Sequence, residues 1–159
     1  MPVGYCVRCG SKRPKPATVE ERLEVGDRLF TAELAGFVCP NCGERYVSGA
    51  TLERFEGAVA GALARGGAAE PAAFRFLRKT LGMKAAALAD LVETTPETIS
   101  RWENGKQPID RRAFALLADL VLDHLEGRTQ TRDLLQACSR PRLPKRVRLG
   151  RLGAPRRAA

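Results

Sequence analysis

Two copies of the motif Cys-x-x-Cys-Gly constrain this chain more than any other feature. The first copy spans residues 6–10 and the second spans residues 39–43, with 29 residues between Cys9 and Cys39. Zinc(II) binds four thiolates in a tetrahedron at about 2.3 Å, and the glycine after each motif can adopt the positive φ of a tight turn. The spacing predicts one structural zinc ion with four ligands: Cys6, Cys9, Cys39 and Cys42.

Two alternatives remain for these motifs. The chain has five cysteines, an odd number that disfavours a disulfide framework, but redox-active Cys-x-x-Cys motifs or free buried thiols would use the same residues. A zinc ion with four protein ligands has no open site for water and therefore no catalytic role. Its role would be in folding, because so small a region buries little apolar surface. The fifth cysteine, Cys138, is expected to be semi-buried.

The pattern around these motifs predicts a β-hairpin followed by helices. Stretches 18–25 and 28–34 alternate loosely on either side of Gly26-Asp27. Residues 50–64 are strong helix formers with one narrow apolar face, made by Leu52, Phe55, Val59 and Leu63. Two glycines and a proline then interrupt the pattern. We predict an α+β two-domain protein: a small zinc-ribbon-like module at 1–65, a linker at 66–72, an all-α helix-turn-helix domain at 73–138 and a basic disordered tail at 139–159.

A segment in the C-terminal half predicts two short helices joined by a tight turn. The first runs over about 84–92, and the second starts after Thr95, a good N-cap, with Pro96 at its first position. Ile99 and Trp102 are three residues apart and face inward. The opposite, polar face consists of Glu97, Thr98 and Arg101. Two such helices form the helix-turn-helix that fits the major groove of DNA.

This segment resembles the XRE-type (Cro/repressor-like) helix-turn-helix family over about Phe74–Leu122, most specifically in the run Thr98–Lys106. The resemblance implies base contacts from the polar face, where Arg101 suits the two acceptors of guanine. It also implies phosphate contacts from basic residues near the helix ends. The predicted DNA-contacting residues are Lys84, Thr95, Glu97, Thr98, Ser100, Arg101, Lys106 and Arg111, and the predicted structural residues are Trp102, Arg78 and Glu103.

Two positions depart from the pattern of that family. Glu93 stands where a turn glycine is usual, and Ala85 replaces a polar residue that touches the DNA backbone. Both departures weaken the expected grip on DNA without changing the class of protein. The resemblance further implies that Arg78 pairs with Glu103 to hold the helices together. The alternative is a module that binds only protein, since short amphipathic helices with a buried tryptophan occur there too.

The order of the modules carries a second resemblance. A Cys-x-x-Cys-Gly, hairpin, Cys-x-x-Cys-Gly module followed by a helix and an XRE-type domain is similar to the MqsA (YgiT-type) family of antitoxins over residues 4–126. In that family the zinc domain binds a toxin, typically an mRNA-cleaving ribonuclease, and the C-terminal domain dimerises and represses its own operon at a palindrome. The resemblance implies a repressor and type II antitoxin whose partners are double-stranded DNA, a second copy of the chain and a toxin. The alternative is a stand-alone zinc-containing regulator without a toxin partner.

Residues 110–126 favour a homodimer independently of that resemblance. One polar stripe is formed by Arg112, Asp119, Asp123 and Glu126, and apolar side chains cover most of the remaining helix surface. This apolar face is wider than packing against one domain core requires. The excess can bury against the same helix of a second copy. The competing explanation is that residues 131–138 fold back over this helix.

Positive charge is concentrated at the C-terminus. The chain has 27 Lys and Arg against 18 Asp and Glu, a net charge of +9, and eight of the basic residues lie in residues 139–159, which contain no acidic residue. That tail also has too little apolar surface to fold alone. It either keeps the protein soluble or attracts DNA phosphates without sequence preference.

The remaining sequence signals exclude several classes of protein. No apolar run approaches the ~20 residues that would span a bilayer, and the first residues lack the features of a secretory signal. We therefore expect a cytoplasmic protein with no membrane partner, associated with the nucleoid when bound to DNA. An enzyme is not expected, because His124 is the only histidine and no nucleophile set or open metal site is recognisable.

Overall fold

The computed structural model describes residues 4–12, 14–139, 144 and 146–148, and it confirms the α+β prediction. A three-stranded antiparallel sheet of order β1-β2-β3 precedes six helices. The elements are β1 Lys15–Val25, β2 Arg28–Val38, β3 Arg45–Val47, α1 Gly49–Arg65, α2 Pro71–Thr80, α3 Ala85–Leu91, α4 Pro96–Glu103, α5 Arg111–Leu125 and α6 Gln130–Ser139. No helix in these ranges is long and apolar enough to cross a membrane. Most of the predicted basic tail, residues 139–159, lies outside the described residues.

Strands β1 and β2 form the predicted hairpin, which is longer than expected. Each strand has 11 residues, and the pairing extends beyond the predicted ranges of 18–25 and 28–34. Gly26 has a φ of 65° in the two-residue turn, a conformation that glycine adopts without strain. The end of β2 stays extended because residues 36–38 also pair with β3. The hairpin therefore reaches the second cysteine motif without an intervening loop.

Helix α1 begins after Ser48, whose hydroxyl accepts a hydrogen bond from the backbone three residues later. Of the four residues predicted to form one apolar face, Phe55, Val59 and Leu63 are buried, whereas Leu52, in the first turn of the helix, is 37% exposed. The buried face of α1 lies against α5 and α2. The sequence had assigned this helix to the zinc-binding module.

One hydrophobic core joins the sheet to the helices. It includes Val25 and Leu34 of the hairpin, Leu63 of α1 and apolar side chains from α2 to α5. The largest fully buried side chains of those four helices are Phe74, Leu77, Leu88, Ile99, Leu117 and Val121. The domain boundary at 66–72 stays a prediction, and the packing crosses it, since α1 shares its core with α2 and α5.

The broad apolar face of α5 is covered within a single chain. Helix α1 approaches it so closely that a Cβ atom at Gly57 would lie 3.1 Å from Leu125 Cδ2, and α6 packs against α5 as well. The fold-back of residues 131–138 is therefore one part of the cover, and α1 is the larger part. The width of this face no longer requires a second copy of the chain to explain it.

Two side chains near α6 differ from their predicted environments. Asp123 belongs to the predicted polar stripe but is only 5% exposed, because it accepts hydrogen bonds from the Thr131 amide (2.7 Å) and from Arg128 Nε (3.0 Å). It thereby joins α5 to α6. Cys138 is predicted to be semi-buried but is exposed, because α6 is half-buried at Thr131 and Leu135 and leaves residues 136–138 in solvent.

Candidate metal centre and nucleic-acid interface

The four predicted zinc ligands form one cluster at the end of the hairpin opposite its turn. Their sulfur atoms all lie within 4.8 Å of one another, with 3.6 Å between Cys6 and Cys42 and 3.7 Å between Cys9 and Cys39. Four sulfur atoms bound tetrahedrally at about 2.3 Å are about 3.8 Å apart, so this donor set fits a metal ion with the preference of zinc. The cluster can hold one metal ion, consistent with a structural zinc.

Both Cys-x-x-Cys-Gly motifs turn in the same way. The Gly10 amide donates to the Cys6 carbonyl at 2.8 Å, and the Gly43 amide donates to the Cys39 carbonyl at 2.9 Å. The two glycines have φ values of 71° and 74°, the positive values predicted from their position in the motif. Each turn directs both of its sulfur atoms toward the same point between the motifs.

Polar groups from the two loops contact the sulfur atoms, and no motif in the sequence predicted these contacts. Ser11 Oγ lies 3.1 Å from Cys39 Sγ and 3.3 Å from Cys9 Sγ, and the Asn41 side-chain amide donates to Cys9 Sγ at 3.5 Å. Hydrogen bonding to Ser11, then to Asn41, lowers the pKa of the Cys9 thiol to about 5. A thiolate is the form of cysteine that binds metals. Their proximity in sequence to the cysteines was the available signal.

Tyr46 reaches the cluster from strand β3, and nothing local in the sequence indicated this contact. Its hydroxyl lies 2.5 Å from Cys6 Sγ, and the pairing of β3 with β2 brings it there. Burial, and then the hydrogen bond to Cys6, raises the pKa of Tyr46 to about 12. The protonated hydroxyl can therefore donate to a metal-bound thiolate, as outer-shell groups of metal sites commonly do.

Helices α3 and α4 form the predicted helix-turn-helix. Helix α3 ends at Leu91, and Glu93 has a φ of 52° in the turn, the left-handed conformation that the usual glycine adopts more easily. Thr95 caps α4, because its hydroxyl accepts the Thr98 amide at 3.2 Å, and Pro96 occupies the first helical position. The predicted boundaries of both helices agree with the structure to within about a residue.

The predicted DNA-contacting residues lie along α4 and at the helix ends beside it. The exposed members are Lys84, Thr95, Glu97, Ser100, Arg101, Lys106 and Arg111, and Thr98 is half-buried. In the part of the chain that the structure describes, none of the four basic members forms an ion pair. Their charges are therefore free to meet a polyanion, and their contacts with DNA stay predictions.

The ion pair expected between Arg78 and Glu103 is present and largely buried. Arg78 Nε and Nη2 donate to the two carboxylate oxygens of Glu103 at 2.5 and 3.0 Å, and Nη1 donates to the Met83 carbonyl at 2.5 Å. The two side chains are 12% and 9% exposed. Paired bonds between a guanidinium and a carboxylate are strong and directional. This arginine therefore joins α2 both to the loop that leads into α3, at Met83, and to the end of α4, at Glu103.

The inward face of α4 packs as predicted. Ile99 and Trp102 are buried, and Trp102 meets Phe74 of α2 edge to face, with 5.7 Å between ring centroids. Trp102 Nε1 is buried with no hydrogen-bond partner among the described residues. With one face of α4 packed in this way, the opposite face is turned outward.

Comparison with known protein families agrees with this geometry. Residues 72–122 match a family described as a helix-turn-helix domain, a stretch that runs from α2 into α5 and contains Phe74–Leu122, where the XRE resemblance lies. No curated protein matched the sequence. The match supports the function of a DNA-binding regulator. It does not extend to the cysteine cluster, so the likeness to MqsA depends on the combination of that cluster with a helix-turn-helix domain.

Proposed function

We propose that this protein is a transcriptional repressor that reads a specific DNA sequence with α4. The orientation of α4 carries this proposal: Ile99 and Trp102 are buried, while Glu97 and Arg101 are exposed, within the stretch that matches a helix-turn-helix domain. A helix presented in this way enters the major groove, where an arginine bonds the O6 and N7 atoms of guanine. Lys84 and other cations at the helix ends hold the flanking phosphates.

Selection of binding sites from random duplex DNA tests this proposal. The selected sequence is then compared with single-base variants, using the wild-type chain and Arg101→Ala. Loss of one guanine contact should cost about 1–3 kcal/mol at a single base pair and leave discrimination at the others intact. Arg54→Ala removes an exposed arginine of α1 and serves as the matched control.

Two outcomes of this experiment would contradict parts of the proposed repressor function. An equal loss of affinity for every sequence would make Arg101 a phosphate contact. Failure of the wild-type chain to enrich any sequence contradicts a sequence-specific repressor and favours the alternative of a module that binds protein.

We further propose that the repressor is the antitoxin of a type II toxin–antitoxin system and binds a ribonuclease toxin through its N-terminal module. The order of the cysteine motifs, the hairpin and the helix-turn-helix supports this proposal. Co-purification with the product of a small reading frame beside the gene, and inhibition of its ribonuclease activity, tests it. If the neighbouring product neither binds nor is inhibited, the protein is the stand-alone regulator of the alternative hypothesis. We assign it no catalytic activity and place its action in the cytoplasm, at the nucleoid.

The remaining parts of the proposal concern the metal and the assembly. The cysteine cluster holds one structural zinc ion, which metal analysis of the purified protein tests. A palindromic operator calls for a two-fold dimer with recognition helices about 34 Å apart. Helix α1 covers part of the apolar face of α5, while Leu125 of that helix is 39% exposed, and sedimentation with and without operator DNA tests the dimer.

A further inference from the structure

A cleft of about 460 Å³ lies between the hairpin turn, α2 and the residues that follow α4. Its walls come from distant parts of the chain: residues 24–26 of the hairpin, Arg75 and Lys79 of α2, and residues 104–105. Lys106, a predicted phosphate contact, follows directly in sequence. The cleft therefore adjoins the proposed DNA-binding surface, and its α2 wall lies outside the predicted DNA-contacting residues.

Contacts with α2 hold the hairpin wall of this cleft in place. Val25 is buried in the common core, and a Cβ atom at Gly26 would lie 3.4 Å from the Cβ of Ala72. Arg28 donates from both terminal nitrogens to the two carboxylate oxygens of Glu70, the residue before α2, with 2.6 Å between Nη2 and Oε1. The cleft is thus formed before any ligand arrives.

The α2 wall carries two cations that have no carboxylate partner. Arg75 and Lys79 are exposed one helical turn apart, and neither forms an ion pair with a residue that the structure describes. Glu103 also lines the cleft, but Arg78 neutralises it. Glu24, on the hairpin wall, is the one lining carboxylate without an ion-pair partner in the described ranges.

We propose that the DNA backbone flanking the site read by α4 runs across the mouth of this cleft, with its phosphates against Arg75 and Lys79. The inference depends on the proposed DNA-binding function and extends its contact surface. Exposed cations about 6 Å apart on a helix suit a chain of phosphates that passes over them. Lys106 is exposed and directly follows the lining residue Gly105 in sequence. Glu24 faces the same backbone and opposes binding by repulsion.

The salt dependence of DNA binding tests this inference on the full chain. The probe is the duplex selected by the wild-type chain, with ten base pairs on each side of the selected sequence. Each phosphate contact contributes about 0.9 to the slope of log K against log salt, so Arg75→Ala with Lys79→Ala should reduce that slope by about 1.8. The preferred sequence should not change. The glutamine pair, Arg75→Gln with Lys79→Gln, repeats the measurement with longer polar side chains.

A matched control separates a local contact from a general loss of charge. Arg54→Ala with Arg132→Ala removes the same charge from exposed positions on α1 and α6, outside the cleft, and should leave the slope unchanged. Trimming the flanks from the duplex should abolish the difference between the wild-type chain and the α2 variant. Glu24→Gln should tighten binding of the long duplex, the opposite sign to the α2 variant.

Several outcomes would overturn the inference. An unchanged slope for the α2 variant, with α4-dependent selection intact, overturns it and leaves the repressor function standing. An equal effect of the control pair overturns it as well. Binding of inorganic phosphate that the α2 variant loses, without any change in the DNA slope, would reassign the cleft to a small anion. If the wild-type chain selects no DNA sequence, the repressor function and this inference fail together.

Discussion

The two ends of the hairpin are stabilised by different means. At the cysteine end, the buried residues among 4–12 and 36–48 are Cys6, Gly36 and Cys39. At the turn end, Val25 belongs to the core that also contains the largest side chains of α2 to α5. Where apolar surface is buried, packing stabilises the fold. Where little of it is buried, a metal ion bound by the four thiols would take the place of the core. The two ends are connected by strands of 11 residues, each about 36 Å long.

Removal of the metal should have the largest effect, confined to the cysteine end. Structural zinc contributes about 10–16 kcal/mol in zinc-finger peptides, and little else is buried around the four thiols. Chelation or Cys39→Ser should therefore expose the amides of residues 36–48 to rapid hydrogen exchange, while those of α2 to α5 stay protected. Mass spectrometry of the exchanged peptides measures both. Cys138→Ser, at an exposed cysteine of α6, should change neither. Equal loss of protection in α2 to α5 would show that the two ends of the hairpin do not differ in what stabilises them.

Leu63→Ala tests whether α1 unfolds together with α2 to α5. Leu63 is 2% exposed in the common core, and truncating such a leucine costs about 2–5 kcal/mol. Denaturant unfolding of the full chain should show this loss in the transition of the helices. Leu52→Ala on the same helix, at an exposed position, should change stability by less than about 0.5 kcal/mol. A loss confined to the cysteine end would instead assign α1 to the zinc-binding module.

Glu93→Gly, in the turn between α3 and α4, should stabilise the protein by less than Leu63→Ala destabilises it. A left-handed conformation costs a residue with a Cβ atom about 1–2 kcal/mol, and glycine avoids most of that cost. The gain should be about 1 kcal/mol, which raises the Tm by roughly 2–4 °C in a chain of this size. Thr94→Gly in the same turn, where φ is not positive, should lower the Tm. A lower Tm for Glu93→Gly would show that its side chain makes a compensating contact.

Acid should release α6 from α5 as the smallest and most local effect. Hydrogen bonds from Thr131, and then the contact with Arg128, hold the pKa of Asp123 below its usual range. A carboxylate with a lowered pKa stabilises the fold fully above its unfolded pKa, and the stabilisation is lost as the pH falls through its folded pKa. Amide exchange in α6 should therefore accelerate below about pH 4. In Asp123→Asn, amide exchange in α6 should already be fast at pH 7. If exchange in this variant accelerated below about pH 4 as it does in the wild-type chain, Asp123 would be excluded as the cause.

Much of the candidate site was predictable because its determinants are local. Two glycines after the cysteine pairs predicted the turns of both cysteine motifs, and Thr95 with Pro96 predicted the start of α4. Ser11 and Asn41 lay beside the cysteines but carried no distinctive spacing. Tyr46 could not be found in this way, because it reaches Cys6 through the pairing of β3 with β2.

Local residue patterns were sufficient to predict the clustering of the four cysteines, the turn at Gly26 and the polar and apolar faces of α4. Each of these features depends on residue types a few positions apart, because steric limits and local hydrogen bonds act between such neighbours. Three features of the tertiary structure could not be predicted from local patterns: α1 covers α5, Asp123 is buried, and the hairpin turn lies beside the end of α4. These outcomes depend on which surfaces bury one another, and periodicity identifies an apolar face without identifying its partner.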